Sequence, residues 1–137
     1  MHTLPQRQVH LDFHTSEHIP EVGAKFDKKQ FQDALRAGHV DSITIFAKCH
    51  HGWAYFNAEK NEIHPTLGGF ELLDAQLEAA HEIGVKAPIY ISAGTDERLA
   101  RRHPEWLIRG ENEAGWTSSP HDFDHPGFHR MCLNSPY

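Results

Sequence analysis

Ser42-Ile43-Thr44-Ile45-Phe46-Ala47 runs without a break into Lys48-Cys49-His50-His51-Gly52-Trp53. The first half is an almost continuous apolar run rich in β-branched residues, the pattern of a parallel strand buried on both faces. The second half sets a cation and two imidazoles on the end of that strand, where polar groups are costly unless used or paired. Two further runs resemble the first half. In Gln8 to Phe13, Val9, Leu11 and Phe13 alternate with Gln8, His10 and Asp12, and His14 follows. Ala87-Pro88-Ile89-Tyr90-Ile91-Ser92 is again nearly all apolar.

Helical patterns separate these three predicted strands. Asp27, with Gln30 three residues on, starts a capping-box-like turn; Phe31, Ala34 and Leu35 follow at i, i+3, i+4, and Gly38 is the stop. From about Phe70 to Ile83, Leu73, Leu77 and Ala80 share one stripe, with Gly84 as the C′ residue. The order β-α-β-α-β defines an α/β class with a parallel sheet and right-handed crossovers. A short helical stretch from Asp96 to Arg102 stops at His103-Pro104, and a long loop of Gly, Pro, Ser, Asp and His follows. Ser135-Pro136 reads as the N-cap and first residue of another helix.

Successive right-handed crossovers place both helices on one face of the sheet, so the other face is expected to be bare. Such a sheet, with two open edges, favours association, a homo-oligomer included. Either residues 95–137 fold back as a cover, or the units continue into a (β/α)₈ (TIM) barrel. A barrel takes about 250 residues, and the chain has 137, so the expectation is a single domain, residues 1–137, forming the amino-terminal part of such a barrel.

Composition narrows the function classes. Thirteen Lys and Arg against nineteen Asp and Glu leave a net charge of −6, the wrong sign for a nucleic-acid or anionic-membrane binder. No apolar run approaches the length of a membrane span, and Met1 to Gln6 carries no signal-peptide core. Cys49 and Cys132 cannot make a disulfide framework, so the expected location is the reducing cytoplasm. Thirteen histidines, scattered along the chain, are the compositional oddity.

In parallel α/β folds the active site lies at the carboxyl ends of the strands. Three segments leave those ends: His14-Thr15-Ser16-Glu17-His18, Lys48 through Phe56, and Ala93-Gly94-Thr95-Asp96-Glu97. Aromatics together with Lys, His and carboxylates at one rim suit a sugar, whose ring stacks on aromatic faces and whose hydroxyls hydrogen-bond to polar side chains. The predicted substrate-binding residues are His14, Lys48, His50, His51, Trp53, Glu97 and Trp106.

Phe26-Asp27, Lys48 to Trp53 and Tyr90-Ile91-Ser92 resemble motifs of the family 29 α-L-fucosidases. A broader resemblance, over nearly the whole chain, is to the hypothetical glycosyl hydrolase 6 family. It rests on His10-Leu11-Asp12-Phe13-His14-Thr15-Ser16, Phe46 to Gly52, His103-Pro104-Glu105-Trp106 and Cys132 to Tyr137. The resemblance implies a retaining glycosidase barrel acting on a carbohydrate, with His14 matching the strand-one histidine that contacts the sugar and His50 the second histidine of the fucosidases' pair. Cys49 stands where the fucosidases have the first histidine of a pair, and His51 where they have an aspartate. In those enzymes the nucleophilic aspartate follows strand four and the acid/base comes later, so the catalytic pair is expected outside this chain. No cofactor and no metal are implied.

Glycoside hydrolysis needs two carboxyl groups. The carboxylates near the expected rim are Asp12, Glu17, Asp96 and Glu97. Asp12 reads as hydrogen-bonded between His10 and His14, and Asp96 and Glu97 as acids favoured at a helix start, so none is assigned as nucleophile or acid. Two rival classes remain. His10-x-Asp12-x-His14 puts three ligand types on one strand face, as in metal-dependent amidohydrolases, with His50 and His51 as further nitrogens. Trp53, Tyr55, Phe56, Trp106 and Trp116 would make the stacking surface of a non-catalytic carbohydrate-binding module. Cys49 beside His50 is a weaker thiol-nucleophile candidate, since neighbours on a strand point apart. His121, His125 and His129 recur every four residues, but Pro126 and Gly127 break any helix there.

Overall fold

The computed structural model describes residues 4–57, 62–108 and 128–136. Trp116, His121, His125 and Tyr137 lie outside the described residues. The elements are β1 (Gln8–His10), α1 (Lys28–Ala37), β2 (Ser42–Lys48), β3 (Trp53–Ala54), β4 (Glu62–Ile63), α2 (Leu72–Glu82), β5 (Ile89–Ile91), α3 (Glu97–Arg102) and a 3₁₀ turn at Pro104–Trp106. No helix among the described residues is long and apolar enough to cross a membrane.

β2 is the axis. It pairs in parallel with β1 through Val9↔Ile43 and with β5 through Ile45↔Ile89. This is the expected β-α-β-α-β core. The caps match as well: the Asp27 carboxylate accepts from Gln30 N at 2.7 Å, and Gly84 has a φ of +74° beyond the end of α2.

Alternation along β2 sorts its side chains. Ile43, Ile45 and Ala47 pack with Leu35 of α1 and Leu73 and Ala80 of α2. Phe46 points the other way, into a cluster with Cys49, Trp53, Tyr55, Leu67 and Leu72. Strand residues directly opposite each other share a face, so the rings of His10 and Tyr90 also lie against Phe46. The face expected to be bare therefore keeps Phe46 only 3% exposed. The uncovered apolar strip is instead Ile89 and Ile91 of β5, 48% and 60% exposed.

Two departures from the predicted elements have physical causes. β1 ends at His10, although alternation continues to Phe13. Beyond Leu11 N, which donates to Thr44 O at 3.1 Å, the backbone turns to the buried Tyr55 hydroxyl. That hydroxyl donates to Phe13 O and accepts from Thr15 N and Thr15 Oγ1. Leaving the strand satisfies three polar groups that a straight strand would not. The second departure is β3 and β4. The chain after β2 doubles back through a tight turn closed by Gly52 N to Cys49 O at 3.0 Å. Lys48 then pairs antiparallel with Ala54, and β3 pairs in parallel with β4.

The segment after α3 folds back. Thr95 bridges to Arg130 and Leu107 to Met131, and Ala100, Leu107 and Met131 form a small third core. The Ser135 hydroxyl donates back to Cys132 O at 2.6 Å.

Candidate functional site

The carboxyl ends of β1, β2 and β5 bring His14, His50 and Ser92 together. The His14 and His50 rings lie 4.1 Å apart, centroid to centroid. The two are locked in register by the backbone: His50 N donates to His14 Nδ1 at 3.1 Å. With Nδ1 accepting, the neutral His14 ring carries its proton on Nε2, which faces Asp12 Oδ1 at 3.1 Å. Both nitrogens of His14 are engaged. Asp12, with a side chain 67% exposed, is the outward-facing group of that pair.

His50 occupies the tip of the Cys49–Gly52 turn. Its Nδ1 lies 2.6 Å from Ser92 Oγ, and the Ser92 hydroxyl in turn donates to Thr95 O. Burial holds the His50 imidazole below its ordinary pKa, and the neighbouring charges of His14 and Arg130 push the same way. It is therefore a neutral base at neutral pH. His51 is also held low, mainly by burial. Phe128, from the returning segment, stands edge-on to both rings, at 5.5 Å from His50 and 4.9 Å from His51. These groups form a partly open basic and aromatic corner.

Lys48 and Asp96 form an ion pair with side chains only 12% and 3% exposed. Asp96 also caps α3, accepting from Leu99 N at 2.9 Å. Gly52 makes the approach feasible: its φ is +90°, and a Cβ there would collide with Asp96 Oδ1 and lie 2.9 Å from Arg98 Cβ. Lys48, predicted to meet substrate, pairs with the cap residue of α3 beside the turn that carries His50.

Three other predicted contacts also have protein partners. Trp53 is 7% exposed; its indole donates to Glu17 Oε2 at 3.2 Å and the Arg98 guanidinium covers its ring at 3.9 Å. No open stacking face remains, and the Glu17 carboxyl is held low by a backbone hydrogen bond and by the Trp53 donor. Glu97 donates its N–H to His50 O at 3.0 Å, while its carboxylate pairs with Arg101 and with His129 Nδ1 at 2.9 Å. Trp106 stacks on His103 at 3.8 Å and packs on the third core.

The rival chemistries fare differently. Among the described residues no three His, Cys, Asp or Glu come together as a metal site. The His10-x-Asp12-x-His14 ligand set also lacks a lone pair on His14, both of whose nitrogens are engaged. The Cys49 thiol is fully buried and aims at Thr15 O, away from the Ser92-bound His50 ring, so the two do not form a nucleophile–base pair. Residues that sequence reasoning gave no role were Ser92 and Phe128. Ser92 stood inside a quoted motif, whereas Phe128 reaches the site only through the fold-back.

The chain is similar in sequence and fold to known proteins. A solved structure, alpha-L-fucosidase isoenzyme 2 from Paenibacillus thiaminolyticus, superposes with a TM-score of 0.87 at 63% identity, covering 96% of this chain and 19% of that one. A shorter match, 34% identical over 47 residues, is to an alpha-1,4-glucan:maltose-1-phosphate maltosyltransferase of Salinibacter ruber (strain DSM 13855 / M31), covering 33% of this chain and 7% of the relative. The chain thus spans only a small part of either relative's length. Residues 27–137 match the family described as hypothetical glycosyl hydrolase 6, and the chain belongs to that family.

Proposed function

We propose that the chain forms the substrate-facing part of a glycoside hydrolase that cleaves an O-glycosyl bond with retention, in an α-L-fucosidase-like (β/α)₈ barrel. The observation that carries the reading is the His14–His50–Ser92 corner at the carboxyl ends of three parallel strands, in a chain 63% identical to a stretch of a fucosidase. In this reading His50, His51 and Asp12 meet sugar hydroxyls and Phe128 walls the sugar's apolar face. His14, Lys48, Trp53, Glu97 and Trp106 hold those groups in place.

The same reading puts the catalytic carboxylates outside residues 1–137. Retention needs two carboxyl groups about 5–5.5 Å apart. Glu17, Asp96 and Glu97 are each engaged by a neighbour: Trp53, Lys48 and His129 respectively. The test is to assay the purified chain and its His50→Ala variant with L-fucose and a chromogenic α-L-fucoside. Binding of L-fucose, lost in His50→Ala, without turnover is the expected result. Turnover by the 137-residue chain would refute the placement of the carboxylates, and absence of any sugar binding would refute the sugar-facing corner.

A further inference from the structure

The Ser92 hydroxyl has one proton, and both Thr95 O and His50 Nδ1 lie within hydrogen-bond distance of it; the Tyr90 hydroxyl, whose oxygen can also accept, lies 3.5 Å from the same Nδ1. A backbone carbonyl can only accept, so the proton of Ser92 goes to Thr95. The hydroxyl oxygen must then accept from His50, which requires a proton on Nδ1. A neutral imidazole carries one ring proton, so the lone pair is left on Nε2. Among the described residues nothing hydrogen-bonds Nε2.

From this chain of donors we propose that Ser92 is a positioning residue that fixes the tautomer of His50, leaving Nε2 as a hydrogen-bond acceptor for a sugar hydroxyl. The ligand class is a polyol whose hydroxyl donates its proton to His50. The inference rests on the glycosidase reading for the ligand, but not for the tautomer. Ser92 is only 2% exposed and is anchored to Thr95 at the start of the α3 turn, so its oxygen has little freedom to turn away. His14 complements the arrangement. Its Nδ1 takes the backbone N–H of His50, so the His50 backbone is fixed independently of its ring. Without the Ser92 hydroxyl the ring would be free to carry its proton on Nε2, which would face a sugar hydroxyl as a donor.

The experiment is long-range proton–nitrogen NMR on the ¹⁵N-histidine-labelled full chain at alkaline pH, where the imidazoles are neutral. The His50 signals are assigned by their disappearance in His50→Gln. Wild type is expected to show a protonated Nδ1 and an unprotonated Nε2, and Ser92→Ala to shift the population toward Nε2–H. A wild-type ring protonated on Nε2 overturns the proposal without any variant, and so does an unchanged tautomer in Ser92→Ala. In parallel, L-fucose titration is expected to show binding weakened about tenfold in Ser92→Ala, the scale of one hydrogen bond. Ser92→Thr, which keeps the hydroxyl, is expected to recover most of that loss. Equal affinity in wild type and Ser92→Ala would overturn the role in binding. If wild type binds no sugar, the glycosidase reading fails while the tautomer measurement still decides what Ser92 does.

Discussion

Replacing Asp96 by Asn isolates the ion pair that anchors the site. Asn keeps the volume and keeps an oxygen for Leu99 N, so the helix cap survives; only the charge opposite Lys48 is lost. Removing one partner of a buried pair costs about 3–5 kcal/mol, because the remaining charge stays out of water. The Lys48 side chain retains 12% exposure, which admits some solvent and places the expected loss at the lower end, about 3 kcal/mol. Asp96→Ala removes the cap too and should cost about 1 kcal/mol more. Lys48→Met combined with Asp96→Asn removes both charges and should recover most of the loss. Equilibrium urea unfolding reads these values: at an m of about 1.5 kcal/mol/M, 3 kcal/mol moves the midpoint by about 2 M. A shift of under about 0.5 M for Asp96→Asn would refute the claim that Lys48 serves chiefly to hold Asp96. A double variant no more stable than Asp96→Asn would refute the coupling.

Gly52→Ala should destabilise the chain by about 3 kcal/mol, combining left-handed backbone strain with the collision against Asp96 and Arg98; a urea midpoint like that of wild type would contradict the turn geometry. His50, His51 and His64 are all held below the ordinary imidazole pKa, chiefly by burial. Below about pH 6.5 the unfolded chain therefore binds more protons at these sites than the folded one, and stability falls as pH drops through that value. Thermal unfolding at pH 7.5 and 5.5 checks the sign: the melting temperature should be lower at 5.5, and a flat or rising profile would count against burial of these rings as neutral groups.

The scaffold was readable where one local pattern had one physical meaning. The Ser42–Ala47 run could hardly be anything but a buried strand, and Asp27 with Gln30 is a cap whatever surrounds it. Strand one was overextended because alternation through Phe13 looks the same whether the backbone pairs with a strand or with the Tyr55 hydroxyl. β3 and β4, at two residues each, are too short to leave a periodic signal.

At the site, the sequence shows which residue types stand at the strand ends but not which protein partners they meet. A lysine at a strand end and a tryptophan in the following turn read identically as ligand contacts or as supports. The partners that decide the matter, Asp96 and Arg98, are brought to Lys48 and Trp53 only by the folding of α3 over the turn. Ser92 was invisible as a functional group because its role is a proton's position, set jointly by Thr95 and His50.

The most direct test of the account is to titrate L-fucose into the ¹⁵N-labelled chain and map the perturbed signals. The account predicts shifts centred on the rings and amides of His50 and His51 and on Phe128, abolished by His50→Ala. No perturbation, or one confined to the separate groove lined by Phe13, Pro20, Phe26 and Leu72, would contradict it.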